Sequence, residues 1–183
     1  MKILQKICFV LLLTTFSSVY GGDCFKDKDV DDCLVKAEQG IPLAQSVVGY
    51  IYSEGIGVPQ DYKEAVKWYR LAAEQGNLTA QYNLGIMYER GEGVFHDYKK
   101  AVKWYKLAVE QGHPKAQIKL GVMYYKGQGV LQDYVMAHMY WNIAAVSGDK
   151  DAIKFREIAE KKMTPSQLEK AQDLAREWMR NHQ

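Results

Sequence analysis

Ser147 and Lys150 stand at S-x-x-K spacing, where a lysine amine can assist a nucleophilic serine in acyl transfer. That chemistry needs the serine at the start of a helix facing a cleft, with S-D-N and K-T-G companions. Here Gly148 follows the serine and terminates a helical pattern, and neither companion occurs. His96, His113, His138 and His182 have no metal-ligand spacing, and there is no H-E-x-x-H. Gly55/Gly57, Gly91/Gly93 and Gly127/Gly129 make three G-x-G pairs. A dinucleotide fingerprint follows a strand and opens a helix, whereas these pairs follow helical patterns and recur, so they read as turn glycines. The expectation is a protein without catalytic residues, metal or cofactor.

The recurrence is the stronger signal. "YSEGIGVPQDYKEAVKWYRLAAEQG" at 52–76 returns as "YERGEGVFHDYKKAVKWYKLAVEQG" at 88–112 and as "YYKGQGVLQDYVMAHMYWNIAAVSG" at 124–148, a period of 36 residues. A fixed period of this size marks stacked supersecondary units, none of which can bury its apolar face alone. In the middle copy Ala80, Leu84, Met87 and Tyr88 make the helical stripe of a first helix, A, with Gly85 on its flank where a neighbouring backbone is expected to come close. Gly91 suits a left-handed cap, Gly93 the turn, and Asp97 the N-cap of a second helix, B. Helix B carries Tyr98, Ala101, Trp104, Tyr105 and Ala108, which read as core. Asp61 and Glu64 have capping-box spacing.

The alanine, L-G, Y, G-x-G-V, D-Y, A, W and A at these intervals resemble the SEL-like repeat (SLR) family, relatives of the tetratricopeptide repeat, over residues 41–148. The resemblance implies an all-α protein: a right-handed α/α solenoid of helix-turn-helix repeats that binds other proteins. The expected division is a signal peptide at 1–22, an N-terminal half-repeat at 23–40, repeats at 41–76, 77–112 and 113–148, and a degenerate repeat with a C-terminal cap at 149–183. In that cap, Thr164, Pro165 and Gln167 give a helix start. The third B helix replaces Lys63, Glu64 and Lys67 of the first by Val135, Met136 and Met139, so the last helix is expected to cover them.

Lys2 and Lys6 precede an apolar run at 7–16 and small residues ending in Gly21 and Gly22, the layout of a secretory signal peptide too short to span a bilayer. Periplasmic or secreted location follows as an expectation, with no stable membrane insertion after cleavage. Of 24 basic residues, the loss of Lys2 and Lys6 leaves 22 against 22 acidic ones. Such neutrality argues against nucleic acid. Cys24 and Cys33 then form an even pair in an oxidising compartment, so a disulfide is expected.

Consensus positions hold a stack together, so partner information should sit where the copies differ. Opposite the core stripe of the A helices lie Tyr50, then Tyr82 and Ile86, then Ile118, Val122 and Tyr125, an apolar band suited to a protein partner unless neighbouring helices bury it. Lys63, Lys67 and Arg70, then Lys99, Lys103 and Lys106, form a ladder on the B helices; with glutamates interspersed it reads first as a solvated face, and otherwise as a site for an acidic partner or an anionic envelope polymer. The leading expectation is a monomeric, non-catalytic scaffold holding another protein. One alternative, an immunity protein neutralising a toxin in the periplasm, rests on the family resemblance. The contrasting class, a β-lactam-binding or hydrolysing enzyme, is associated with cysteine-rich members of the family, whose repeated cysteine pairs are missing here.

Overall fold

The computed structural model describes residues 30–182, which form nine α-helices and, within that span, no strand. These are α1 (Val30–Glu38), α2 (Pro42–Glu54), α3 (Tyr62–Glu74), α4 (Leu78–Arg90), α5 (Tyr98–Glu110), α6 (Pro114–Lys126), α7 (Tyr134–Ala145), α8 (Lys150–Glu160) and α9 (Pro165–Asn181). Each helix packs on the next as far as α8, and α9 turns back onto α7. The A/B pairs α2/α3, α4/α5 and α6/α7 thus pile up as an α/α solenoid. The expected signal peptide and Cys24 lie outside the described residues; the half-repeat is represented by α1.

Aspartates open the B helices. Asp61 Oδ1 accepts from the backbone N–H of Lys63 and Glu64 at 2.9 and 3.1 Å, and Asp97 and Asp133 do the same for α5 and α7. Each satisfies a donor that the helix start leaves unpaired. The second half of the capping box expected at Asp61 does not form, because the Asp61 N–H donates to the Tyr52 carbonyl instead, at 2.9 Å, and Glu64 accepts from Lys67 Nζ at 2.9 Å. Thr164 and Gln167 make both halves of theirs at the start of α9.

The two glycines of each turn have different duties. Gly55, Gly91 and Gly127 end the A helices in the left-handed conformation, at φ 71, 73 and 69°. The second glycine touches the preceding repeat: a Cβ on Gly93 would lie 2.2 Å from the carbonyl oxygen of Tyr62, and one on Gly129 2.4 Å from that of Tyr98. The turn of one repeat therefore rests directly on the first residue of the previous B helix, and no side chain fits between them.

Within a repeat, helix A makes room for an aromatic ring of helix B. A Cβ on Gly85 would sit 2.5 Å from Tyr105, on Gly49 2.6 Å from Tyr69, and on Gly121 2.5 Å from Trp141. The close neighbour expected at Gly85 is thus a ring rather than backbone. Leu84, Leu120 and Tyr105 are fully buried around these joints, and each leucine contributes roughly 1.5–3 kcal/mol by leaving water. Between repeats, glutamines on the A helices bond to the ends of preceding B helices: Gln45 Nε2 donates to the Ala37 carbonyl and Gln81 Nε2 to that of Ala73, both at 3.2 Å. Gln75 and Gln111 then donate to Gln45 and Gln81 at 2.8 and 2.9 Å. These bonds occupy carbonyls that helix C-termini leave without intrahelical partners.

Two helices close the C-terminal end. Phe155 and Ala159 of α8 pack with Ala137 and Trp141 of α7. Leu174, Ala175, Trp178 and Met179 of α9 join the main core beside Met136, Met139, Tyr140 and Ile143. Met136 and Met139 lie under the last helix, as their sequence suggests, and Val135 is half-buried. Solenoid ends require such covers.

Gly93 and Gly112 both have positive φ, 70 and 78°, but a Cβ on Gly112 meets nothing within 4 Å. Gly112→Ala is expected to cost only the left-handed strain, about 1–2 kcal/mol, whereas Gly93→Ala must also displace backbone and should cost at least ~2 kcal/mol more. Urea unfolding of the two variants checks this; equal losses would remove the inter-repeat contact from the account.

Candidate partner-binding surface

The A helices line one wall of the solenoid, and its three junctions differ. Between α2 and α4 lies a cavity of about 150 Å³ whose lining includes Tyr50, Ser53, Tyr69, Asn83, Ile86 and Arg90. Tyr50 is 50 % exposed at its rim. The floor is polar: Ser53 Oγ donates to the Tyr50 carbonyl at 2.9 Å, which leaves it to accept from Tyr69 OH at 3.4 Å. Burial pushes the Tyr69 phenol up to about 12, so it stays a neutral donor. Arg90 and Glu92 pair loosely at 3.6 Å on the margin.

Between α4 and α6 the wall is tied shut. Glu89 accepts from Lys119 Nζ at 3.0 Å and from Tyr105 OH at 2.5 Å. Burial, reinforced by the Glu89 carboxylate, holds the Tyr105 phenol well above its usual range. Tyr82 stacks on the imidazole of His113, with ring centroids 4.5 Å apart and planes at 21°. At the third junction α8 covers the wall, because Ile118, Val122 and Tyr125 pack against the cluster of Ala137, Trp141 and Ala159.

Of the six residues expected to form one continuous band, only Tyr50 and Ile86 share an open cavity. Tyr82 is half-buried at the tied junction, and Ile118, Val122 and Tyr125 are half-buried beneath α8. The band is therefore interrupted, for the reason that neighbouring helices use its apolar residues to pack. Asn83 and Arg90 were missed. They occupy positions held by Val47 and Lys119, and by Glu54 and Lys126, in the other copies, and that variation was the signal available.

The Sel1 repeat family matches three consecutive segments, 42–77, 78–113 and 114–149, more than half of the chain and one residue later than the frame read from the sequence. The chain belongs to the Sel1-repeat family. Proteins of this family are typically scaffolds for protein–protein interaction and generally non-catalytic. Among solved structures, the chain is similar to c5321, a protective antigen present in uropathogenic Escherichia coli strains that displays an SLR fold, with 35% identity over 90% of this chain and a TM-score of 0.80. It spans only 35% of the antigen's length. A Sel1 repeat protein from Oxalobacter formigenes is 43% identical over 62% of this chain and 47% of its own, with a TM-score of 0.60. Cysteine-rich protein B of Helicobacter pylori, 22% identical over 73% of this chain and 98% of its own with a TM-score of 0.57, shares the fold. No curated protein matches significantly.

The residues weighed for catalysis or metal binding, His138 within α7 apart, sit at helix ends and in turns. Ser147 Oγ donates to the Ala144 carbonyl at 2.9 Å, and both Ser147 and Lys150 are exposed where α7 gives way to α8. His96 packs edge-on against Tyr98, with centroids 4.1 Å apart. His182 stacks on Trp178 at 3.9 Å. Among the described residues no group of three or more His, Cys, Asp or Glu could hold a metal ion, and no helix is long and apolar enough to cross a membrane. Cys33 is fully buried with Ala37, Ala44 and Val48.

Two histidines are seated as neutral rings. His113 Nδ1 accepts from the Ala116 N–H at 3.2 Å, capping α6, and burial foremost, then Lys115, holds its pKa below the ordinary value. His138 Nε2 donates to Glu160 at 3.1 Å, yet burial outweighs that carboxylate and lowers its pKa too, helped by Arg156. The unfolded chain therefore binds protons that the native one refuses, and stability falls as pH drops from about 6.5 towards the depressed folded values. His113→Asn, which keeps a capping acceptor, and His138→Val, the residue of the other copies' kind, should together flatten this slope in melting curves between pH 7.5 and 5.5. An unchanged slope would place the acid sensitivity elsewhere.

Proposed function

We propose that this protein is an exported, non-catalytic scaffold that holds another protein at the cavity between α2 and α4. The observation that carries this reading is the contrast among the three junctions: two are closed by their own side chains, and the first is left open between Tyr50 and Ile86. An aromatic side chain half in water beside an apolar neighbour and a few polar donors is the usual make-up of a protein-binding anchor site. The frame beneath it is fixed by the glycine-seated rings, so little conformational freedom is lost on binding.

Tyr50→Asp, at an exposed position, should abolish capture of the partner from the envelope or secreted fraction of the native host with a melting temperature close to wild type, and Ile86→Thr, which keeps a β-branched side chain against the core, should weaken it. Capture that persists in both would move the site off this wall. A nitrocefin assay on the mature protein is expected to be blank, and turnover lost in Ser147→Ala would replace the scaffold reading by an enzyme.

Export is supported by Lys2, Lys6 and the apolar run at 7–16, and by the Cys24 and Cys33 pair that removal of that segment leaves. Mass spectrometry of the exported protein should find a chain starting at Gly22 or Asp23 with those two cysteines bridged. A retained N-terminus or two free thiols would argue against export to an oxidising compartment.

A further inference from the structure

On the other side of α4 runs an open trough of about 710 Å³, lined by Lys63 and Arg70 of α3, Tyr88 of α4, Val94 and Phe95 of the turn, and Lys100 of α5. Tyr88 lies two residues from both Ile86 and Arg90, about 200° around a helix, so the trough and the A-wall cavity face opposite ways. No carboxylate lines it. Among the described residues Lys63 and Arg70 make no ion pair, and Lys100 has only a long contact, 3.6 Å, to its own N-cap Asp97. The cations converge on an aromatic floor: Arg70 donates to Tyr88 OH at 3.1 Å, and Lys100 Nζ lies 5.3 Å from the centre of the Tyr88 ring. Beside them Phe95 is 97 % exposed, covered by none of the described residues.

The arrangement partly recurs one repeat on. Lys106 sits over Tyr124 at 5.8 Å as Arg70 meets Tyr88, and Leu131 is 91 % exposed where Phe95 is. At the position of Lys100, however, stands Met136, packed against the main core at the α9 end. In the first repeat the same positions hold Pro59 for Phe95 and Glu64 for Lys100. The full set of three cations, two of them without an ion pair and the third only loosely paired with Asp97, together with the ring and the exposed apolar tip exists at one junction among the described residues, so it is not a requirement of the stack.

We infer that this trough docks an acidic peptide segment of a partner protein, with carboxylates set among Lys63, Arg70 and Lys100 and an apolar side chain laid against Phe95. Charge complementarity selects the occupant, since three cations without an acidic neighbour in the lining repel each other until an anion enters. The concave shape favours a chain over a bilayer, whose headgroups would present a plane to a trough. An acidic residue near an aromatic or large aliphatic one matches both features of the lining. The site is independent of the A-wall cavity, and either can fail without the other.

The test is selection of a phage-displayed random 12-mer library on the full mature chain, with counter-selection on Lys63→Glu/Arg70→Glu. Recovered sequences should be rich in Asp and Glu around one aromatic or aliphatic residue. A fluorescein-labelled consensus peptide should bind in an anisotropy titration that weakens as salt rises. Its affinity should drop tenfold or more in the double variant and several-fold in Phe95→Ser, while Tyr50→Asp leaves it unchanged. All four altered positions are exposed, and melting temperatures close to wild type would show the variants folded. Recovered peptides without an acidic excess, or a consensus peptide that binds the double variant equally well, would overturn the proposal. So would co-sedimentation with vesicles of anionic lipid that is lost in the double variant when no peptide binds, because the trough would then be a membrane contact.

Discussion

The fold depends on a glycine facing an aromatic ring. Gly49, Gly85 and Gly121 each lie so close to Tyr69, Tyr105 or Trp141 that a methyl group would overlap the ring, and this sets how closely the A and B helices of a repeat pair. Once the pair distance is fixed, the remaining joints can recur at a constant period: the left-handed cap, the second turn glycine on a tyrosine carbonyl, and the glutamine that reaches the previous B helix. Each is a contact between a repeat and itself or its immediate neighbour, which is why stability in such a chain accumulates along one dimension.

Most of this was legible in the sequence, because joints that recur must be spelled each time. The helices, the aspartate caps, the turn glycines and the covering of Met136 and Met139 were all readable from types and spacing. The identity of Gly85's neighbour was not. A glycine reports that something comes close, and nothing in its own position says whether that is backbone or a ring on the next helix, as Tyr105 is for Gly85. Likewise Glu64 has the right spacing to complete a capping box, but the Asp61 N–H it would accept from is bonded to the Tyr52 carbonyl, a partner that spacing alone does not reveal.

The candidate site was less legible for a related reason. Tyr82, Ile118, Val122 and Tyr125 are apolar at positions that looked free, but an apolar residue on a solenoid wall is equally suited to a partner or to the next helix. His113 accepts one face of Tyr82, and α8 covers the other three. The bound form of that uncertainty is visible at Tyr50 and Ile86, where the facing α2 and α4 residues are Ser53 and Asn83 and do not fill the gap. Small or short polar side chains opposite large ones leave openings. Variation in size between copies is therefore a better guide to a binding position than hydrophobicity alone.

Overall charge also hides local organisation. Without its first 22 residues the chain carries equal numbers of acidic and basic groups, yet Lys63, Arg70 and Lys100 line one trough without an acid among them. At physiological ionic strength the Debye length is ~8 Å, and one helix with its side chains is about 10–12 Å across. The carboxylates on the far side of α4 are thus largely screened from the trough, while its three cations act on the same small volume. A neutral protein can in this way present a positive surface to one partner and an aromatic one, its charges paired at the margin, to another. The rigid two-layer construction is what keeps them apart, because α4 supplies a residue to each face and cannot turn one towards the other without breaking the seat of Gly85 on Tyr105.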